Sequence, residues 1–382
     1  MIDPFVSWLP VRTAPQGMPR LAVKDVIDVA GLPTGCGHPE KLAAARPAGR
    51  DAVCVELLRE AGAFVIGKTH TDELAYSLGG TNAHYGAVAN PVAPGRLTGG
   101  SSSGSAAAVA AGRADLGLGT DTAGSIRVPA AYCGLWSLRP SHARVDRTGI
   151  APLAPSFDVP GLLARDAATL TWGARALLAG SPPAAGRLGR ILAPANLWEL
   201  AEESIRESLA TLVPDADRDV LSGFEGAREA FATVQAAEAW AVHRSWIRAR
   251  QPAFGPGVSV RLVHGARTTA QDEADARAEV AAHRDRLHTL LADGTVLALP
   301  AAPCTAPAFA PSVRRGPGPR AATLALTCLA GLAGLPAVTV PAGSGGLCLI
   351  AGPGQDEALL ALAATLAGAG AQGDGSIRVG WS

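Results

Sequence analysis

Two serine-bearing windows carry most of the chemical signal in this chain. Residues 99–112 read GGSSSGSAAAVAAG and residues 119–130 read GTDTAGSIRVPA. A serine hydroxyl is a weak nucleophile and needs a proton acceptor within hydrogen-bond reach. In the second window, small residues before Ser125 let successive backbone N–H groups point into one concavity, which is how an oxyanion is held. A Gly-Ser pair standing alone is ordinarily just a tight turn. The first window lacks the Gly-Lys-Ser/Thr ending of a phosphate-binding loop. An alanine-rich helix and then a strand follow it at once, which places it inside the fold and not in a spacer. What remains is a glycine-rich turn that forces serines into an unusual backbone geometry at a helix start.

The elements around these windows alternate between strand and helix. Residues 51–62, DAVCVELLREAG, show apolar residues at helical spacing between an N-capping Asp51 and a closing Gly62. AFVIGKT and ADLGLGTD read as buried strands, as do GRILAPANL and TVLALPAAP, and residues 357–366 read as a helix. AVTVPAGSGGLCLIAG reads as two strands around a turn. The pattern implies an α/β fold with a mixed, mostly parallel central sheet covered by helices on both faces. No repeat or linker divides the chain, so a single domain over 1–382 is expected, its core at about 20–180 and 296–366. The charge-rich helical stretch 201–291 reads as a cap or insertion, and PSVRRGPGPRAA as a surface loop.

Composition narrows the function. The 382 residues are 48% hydrophobic and 17% charged, with 33 basic against 33 acidic side chains. A core is easily built, and nothing marks a nucleic-acid partner. Six scattered cysteines form no metal-ligand spacing and read as buried free thiols of a reducing, cytoplasmic compartment; Cys133 reads as a small core residue. The start, MIDPFVSWLP, has no basic, apolar leader pattern. Residues 321–352 carry no charge, but Pro336, Pro341 and recurring glycines make them core and not a membrane span. No metal and no cofactor are expected, and none of the eight histidines is expected to act in catalysis. Lys68 reads as a solvated strand end, and Ser102 and Ser105 as turn and helix-cap residues.

Taken together, Gly-Gly-Ser-Ser-Ser-Gly and the downstream Asp-x-Ala-Gly-Ser-Ile-Arg-x-Pro resemble the amidase signature family, and LAVKDVIDVAGLPTG supplies the family's third element. DELAYSLGGTNAHYGAVANP, CGLWSLRPSHARV and SFDVPGLLARDAATL are similar to its indole-3-acetamide hydrolase branch. The resemblance implies an acyl-enzyme amidase with Ser125 as nucleophile, Ser101 as relay after a cis peptide bond, and Lys24 as base. It also implies an oxyanion hole from the N–H groups of Thr122, Ala123, Gly124 and Ser125. Asp121 and Arg127 are expected to pair and brace the turn, and Ser103 and Thr120 to satisfy local hydrogen bonds. Ala75, Ser77, Gly99 and Gly100 are expected to line the acyl side. With no motif supplying a charge, the expected substrate is a small, uncharged carboxylic amide. Alternatives are the glutaminase subunit of a tRNA-dependent amidotransferase, or an ester, carbamate or anilide hydrolase of the same family. A non-catalytic binding module fits less well, because all three reactive residues are present. A homodimer is an open expectation.

Overall fold

The computed structural model describes residues 1–9, 14–180, 186–309 and 318–371. Ten strands form one sheet: β1 (Phe5–Trp8), β2 (Arg20–Lys24), β3 (Phe64–Thr69), β4 (Leu116–Asp121), β5 (Trp136–Arg139), β6 (Val159–Ala164), β7 (Ile191–Leu192), β8 (Val296–Pro300), β9 (Ala337–Ala342) and β10 (Gly345–Ile350). Their order is β1-β3-β2-β4-β6-β5-β9-β10-β8-β7. β4, β6, β8 and β10 are buried along their whole length. Burial on both faces is why they read as unbroken apolar or glycine-rich runs and not as alternating patterns.

The sheet is mixed, as expected, but its balance differs from the expectation. β2 runs parallel to β3 and β4, and β7 to β8, while the other six pairings are antiparallel. Crossover helices signal parallel pairs in a sequence. The hairpin β9–β10 and the excursion that brings β6 back between β4 and β5 leave no such mark. GRILAPANL contributes only Ile191–Leu192 as strand before turning into the helix Ala195–Trp198. The helix predicted at 51–62 is Val53–Glu60 with Ala52 at its cap. Asp51 instead accepts the Ala30 N–H at 2.7 Å and pairs with Arg59.

Glycines in β4 decide how the first serine window docks. The helix Ser103–Ala110 contains only small side chains and is buried up to Val109. A Cβ at Gly117 would lie 3.1 Å from the Ser105 carbonyl, and one at Gly119 would lie 2.6 Å from Ser102 Oγ. Only a strand without side chains there lets the helix come this close, and it brings residues 101–102 beside Thr120.

The 201–291 stretch supplies the helices Ala227–Arg250, Pro256–Arg267 and Ala270–Leu291. The first and third pack on the helix Gly318–Ala333, next to the second serine window. No described helix is long and apolar enough to cross a membrane. All six cysteines are free, with Cys304 partly exposed and the others buried. Most of the expected 311–322 surface loop lies outside the described residues.

Candidate active site

Lys24 ends β2, wholly buried between β3 and β4. Its Nζ lies 2.8 Å from Ser101 Oγ, 2.8 Å from Thr120 Oγ1 and 3.4 Å from the Thr120 carbonyl. Burial pushes its pKa from 10.5 down to about 7, against the pull of Asp72, Asp121, Asp158 and Cys36. The three partners suit both protonation states. An ammonium donates to all three; a neutral amine donates twice to Thr120 and accepts the Ser101 hydroxyl proton on its lone pair. The Gly100–Ser101 peptide is cis. The next residue, Ser102, donates its N–H to the Ser125 carbonyl at 3.1 Å, which ties the two serine windows together.

Ser125 sits on the turn between β4 and the helix Arg127–Tyr132. Asp121, at the end of β4, organises that turn from beneath. Its carboxylate accepts the N–H of Gly124 at 2.9 Å and of Ile126 at 3.0 Å, and pairs with Arg127 through Nη2 at 2.9 Å and Nε at 3.1 Å. Arg139 adds an ion pair at 3.1 Å and a hydrogen bond to the Asp121 carbonyl, contacts the sequence did not signal. All three charges are fully buried, and the two guanidinium groups overcome desolvation to hold the Asp121 carboxyl well below the usual carboxylate range.

This bracing removes Gly124 from the expected oxyanion donors, because its N–H is already given to Asp121. The N–H groups of Thr122, Ala123 and Ser125 have no acceptor among the described residues. Gly124 has a different necessity: its φ is +114°, and a Cβ would lie 2.9 Å from Thr327. Thr327 Oγ1 in turn donates to the Ala123 carbonyl at 2.6 Å, turning that oxygen away from the concavity.

A cavity of about 410 Å³, large enough for a small ligand, reaches Tyr132 at the end of the helix that follows Ser125, although Lys24, Ser101, Thr122, Ala123 and Ser125 do not themselves line it. Tyr132 and Thr323 are on its wall, Thr323 one helical turn before Thr327. Leu78, Pro256, Val258 and Pro307 make part of it apolar. Of the residues expected to line the acyl side, Ser77 does so. Ala75, on left-handed backbone, faces a separate small cleft with Thr120, Thr122 and Asp158. Gly99 and Gly100 are packed against protein: a Cβ would meet Tyr132 at 2.8 Å and the Asp72 carboxylate at 2.3 Å respectively. They are glycine for close approach and not to shape a pocket.

Against the expectation, the cavity is not charge-free. Arg261, Arg320 and Glu73 all line it; neither arginine has a carboxylate within ion-pair distance among the described residues, although Asp72 acts on both from nearby. Arg261 packs over the Tyr76 ring, 4.9 Å from its centroid, and donates to the Tyr76 carbonyl. Burial lowers the pKa of each, and the two repel one another. The Arg261 signal was invisible in VSVRLVHGAR, where either of the two arginines looks like any solvated helix charge.

Other readings also change. Lys68 is fully buried, 2.9 Å from Asp25 Oδ1 and 2.6 Å from Thr34 Oγ1, because β1 covers the edge that would have left it in water. Ser105 is no cap: it bonds Thr69 Oγ1 at 2.8 Å and the Leu118 carbonyl at 3.1 Å. Ser102 holds the cap position without a side-chain cap bond. Ser103 is buried in the first helical turn and does not bond Lys24, Ser101 or Ser125, whereas Thr120 does bond Lys24.

Among the described residues, His38, Glu73 and His84 offer the one group of side chains spaced for a metal ion. Their hydrogen bonds fit it poorly. His38 Nδ1 accepts the Glu40 N–H, so the hydrogen is on Nε2, which faces the Ala253 carbonyl at 3.1 Å. His84 Nε2 faces the same carbonyl and Glu73. With Glu73 also accepting the Gly255 N–H, the group clamps the loop that starts the helix carrying Arg261.

Comparison with known proteins finds relatives that match nearly the whole chain. The family model described as Amidase matches residues 16–183. "Amidase 1" of Arabidopsis thaliana is 34% identical, over 92% of this chain and 93% of that protein. The 1-carboxybiuret hydrolase subunit AtzE of Pseudomonas sp. (strain ADP) is 32% identical, over 90% of this chain and 82% of its own length. A crystal structure described as an amidase superposes with a TM-score of 0.82 at 33% identity, covering 92% of this chain and 84% of that one.

Proposed function

The chain belongs to the amidase signature family of amide-cleaving hydrolases, and from that premise we propose that it hydrolyses a small carboxamide through an acyl-enzyme on Ser125, with an anionic group on the acyl part. The observation that carries the chemistry is the buried Lys24–Ser101 contact beside the braced Ser125 turn. Neutral Lys24 accepts the proton of Ser101, Ser101 takes that of Ser125, and Ser125 Oγ attacks the amide carbon. The negative oxygen is met by the N–H groups of Thr122, Ala123 and Ser125. The proton returns through Ser101 to the leaving nitrogen, and water then cleaves the ester by the same relay.

The substrate class follows from the cavity. Its apolar wall suits a short hydrocarbon body, while Arg261 and Arg320, with Glu73 on the same wall but no carboxylate in contact, offer charged donors to a ligand carboxylate. The Pseudomonas relative is named for a substrate that itself carries a carboxyl group. Labelling with a serine-directed fluorophosphonate tests the nucleophile: it should be lost entirely in Ser125→Ala, and persistent labelling on another residue would sink the assignment. A panel of amides scored by ammonia release tests the substrate. Amides with a terminal carboxylate should exceed arylacetamides in kcat/KM, and the reverse order would restore the uncharged substrate.

A further inference from the structure

One carboxylate beside these residues is used by none of the steps above. Asp72 precedes the short helix Glu73–Ala75 and is 1% exposed. Its Oδ2 accepts the Gly80 N–H at 3.0 Å, while Oδ1 has no hydrogen-bond partner. The carboxylate lies against Gly100, where a Cβ would come within 2.3 Å of one oxygen and 2.6 Å of the other. Backbone bonds close the same contact. The Asp72 N–H donates to the Ser101 carbonyl at 3.3 Å, Thr71 Oγ1 donates to it at 2.9 Å, and the Gly100 N–H donates to the Leu78 carbonyl at 3.1 Å.

The acidic groups that face Lys24 are Asp72, Asp121, Asp158 and Cys36. Asp121 is neutralised by Arg127 and Arg139. Asp158 accepts the Thr122 hydroxyl and the N–H groups of Leu153 and Ala154, with Arg147 nearby, and burial raises its pKa. Burial pushes the Cys36 thiol up to about 11, so it is neutral. Asp72 is faced by Lys24 and the cavity arginines Arg261 and Arg320. Its charge therefore acts on the base and on the cavity arginines alike.

We propose that Asp72 is a positioning residue for Lys24: its buried carboxylate seats the Gly100–Ser101 turn and supplies the negative field that decides when Lys24 gives up its proton. The inference rests on the reading of Lys24 as the base. A carboxylate near an amine favours the ammonium form, so Asp72 raises the pKa that burial has lowered. Burial also raises Asp72 itself, to about 6, so it is mostly ionised where Lys24 deprotonates.

The test is the pH dependence of the second-order rate of Ser125 labelling by a fluorophosphonate, which needs no knowledge of the substrate. Asp72→Asn keeps the acceptor for the Gly80 N–H and the fit against Gly100 while removing the charge. Its acid limb should move to lower pH by at least ~0.5 unit, about threefold in rate at the foot of the profile. Asp72→Ser, smaller and also uncharged, should move it the same way and serves if the asparagine variant does not fold. A limb that stays in place, with a uniform loss at every pH, or a limb that moves upward, overturns the proposal. Lys24→Ala and Ser125→Ala separate the two readings. If the limb survives the first or labelling survives the second, the catalytic assignment falls; if both behave and Asp72→Asn leaves the limb unmoved, only the role of Asp72 falls.

Discussion

Lys24 and Lys68 stand on neighbouring parallel strands, both with no exposed surface, and they have opposite surroundings. Lys68 meets a carboxylate, Asp25, at 2.9 Å, and fills its other donor positions with Thr34 Oγ1 and the Pro33 carbonyl. Lys24 meets two hydroxyls and a carbonyl, none of which carries charge. The arginines divide in the same way. Arg127 and Arg139 share Asp121 in direct contact beneath the Ser125 turn, while Arg261 and Arg320 line the cavity with Glu73 on the same wall and no carboxylate within ion-pair distance among the described residues. Burial alone therefore does not distinguish a brace from a working group. A buried cation with a carboxylate in contact is fixed in one state, whereas one without it is free to lose a proton or to take an anion from solution.

The widest separation between the two classes should come from exchanging each lysine for methionine. Lys68→Met leaves Asp25 buried without its ion-pair partner and should cost about 3–5 kcal/mol of stability, read by denaturant unfolding. Lys24→Met removes a desolvated amine with no contacting carboxylate. It should leave the unfolding midpoint near that of the wild type and lower kcat by at least ~100-fold. Equal stability losses in the two variants would erase the distinction. In the unmodified enzyme, kcat/KM should rise with pH through about 7, because only neutral Lys24 accepts the Ser101 proton and its pKa has fallen to that range.

A smaller effect is expected at the cavity. Arg261→Gln should lower kcat/KM for a carboxylated amide by about 10- to 100-fold, the worth of one charge-assisted hydrogen bond. It should change kcat/KM for an uncharged amide little. Equal losses for both would make Arg261 a brace like Arg127. The smallest effect concerns the His38–Glu73–His84 clamp. Dialysis against a strong chelator should leave the rate unchanged, and a loss restored by zinc would turn those hydrogen-bonding groups into metal ligands.

The sequence by itself determined the two serine windows and the strands that carry them. Their information is local: small residues and glycines permit turns and close approaches that larger side chains forbid, as at Gly119 and Gly124. Resemblance to a family then singled out Lys24, Ser101 and Ser125 within that local pattern. Only the tertiary structure decided which charges meet. Lys24 and Asp25 are neighbours in sequence, yet the chain turns after β2 and Asp25 pairs with Lys68, more than forty residues later. Arg261 reaches the cavity from the helix Pro256–Arg267, far along the chain from Ser77, with which it shares that wall. Asp72, in TDELAY, looks like any exposed acid until Gly100 closes over it. The physical reason is range. Backbone conformation is set by a residue and its immediate neighbours, but the protonation state and role of a buried charge are set by whatever the fold brings within a few ångströms of it.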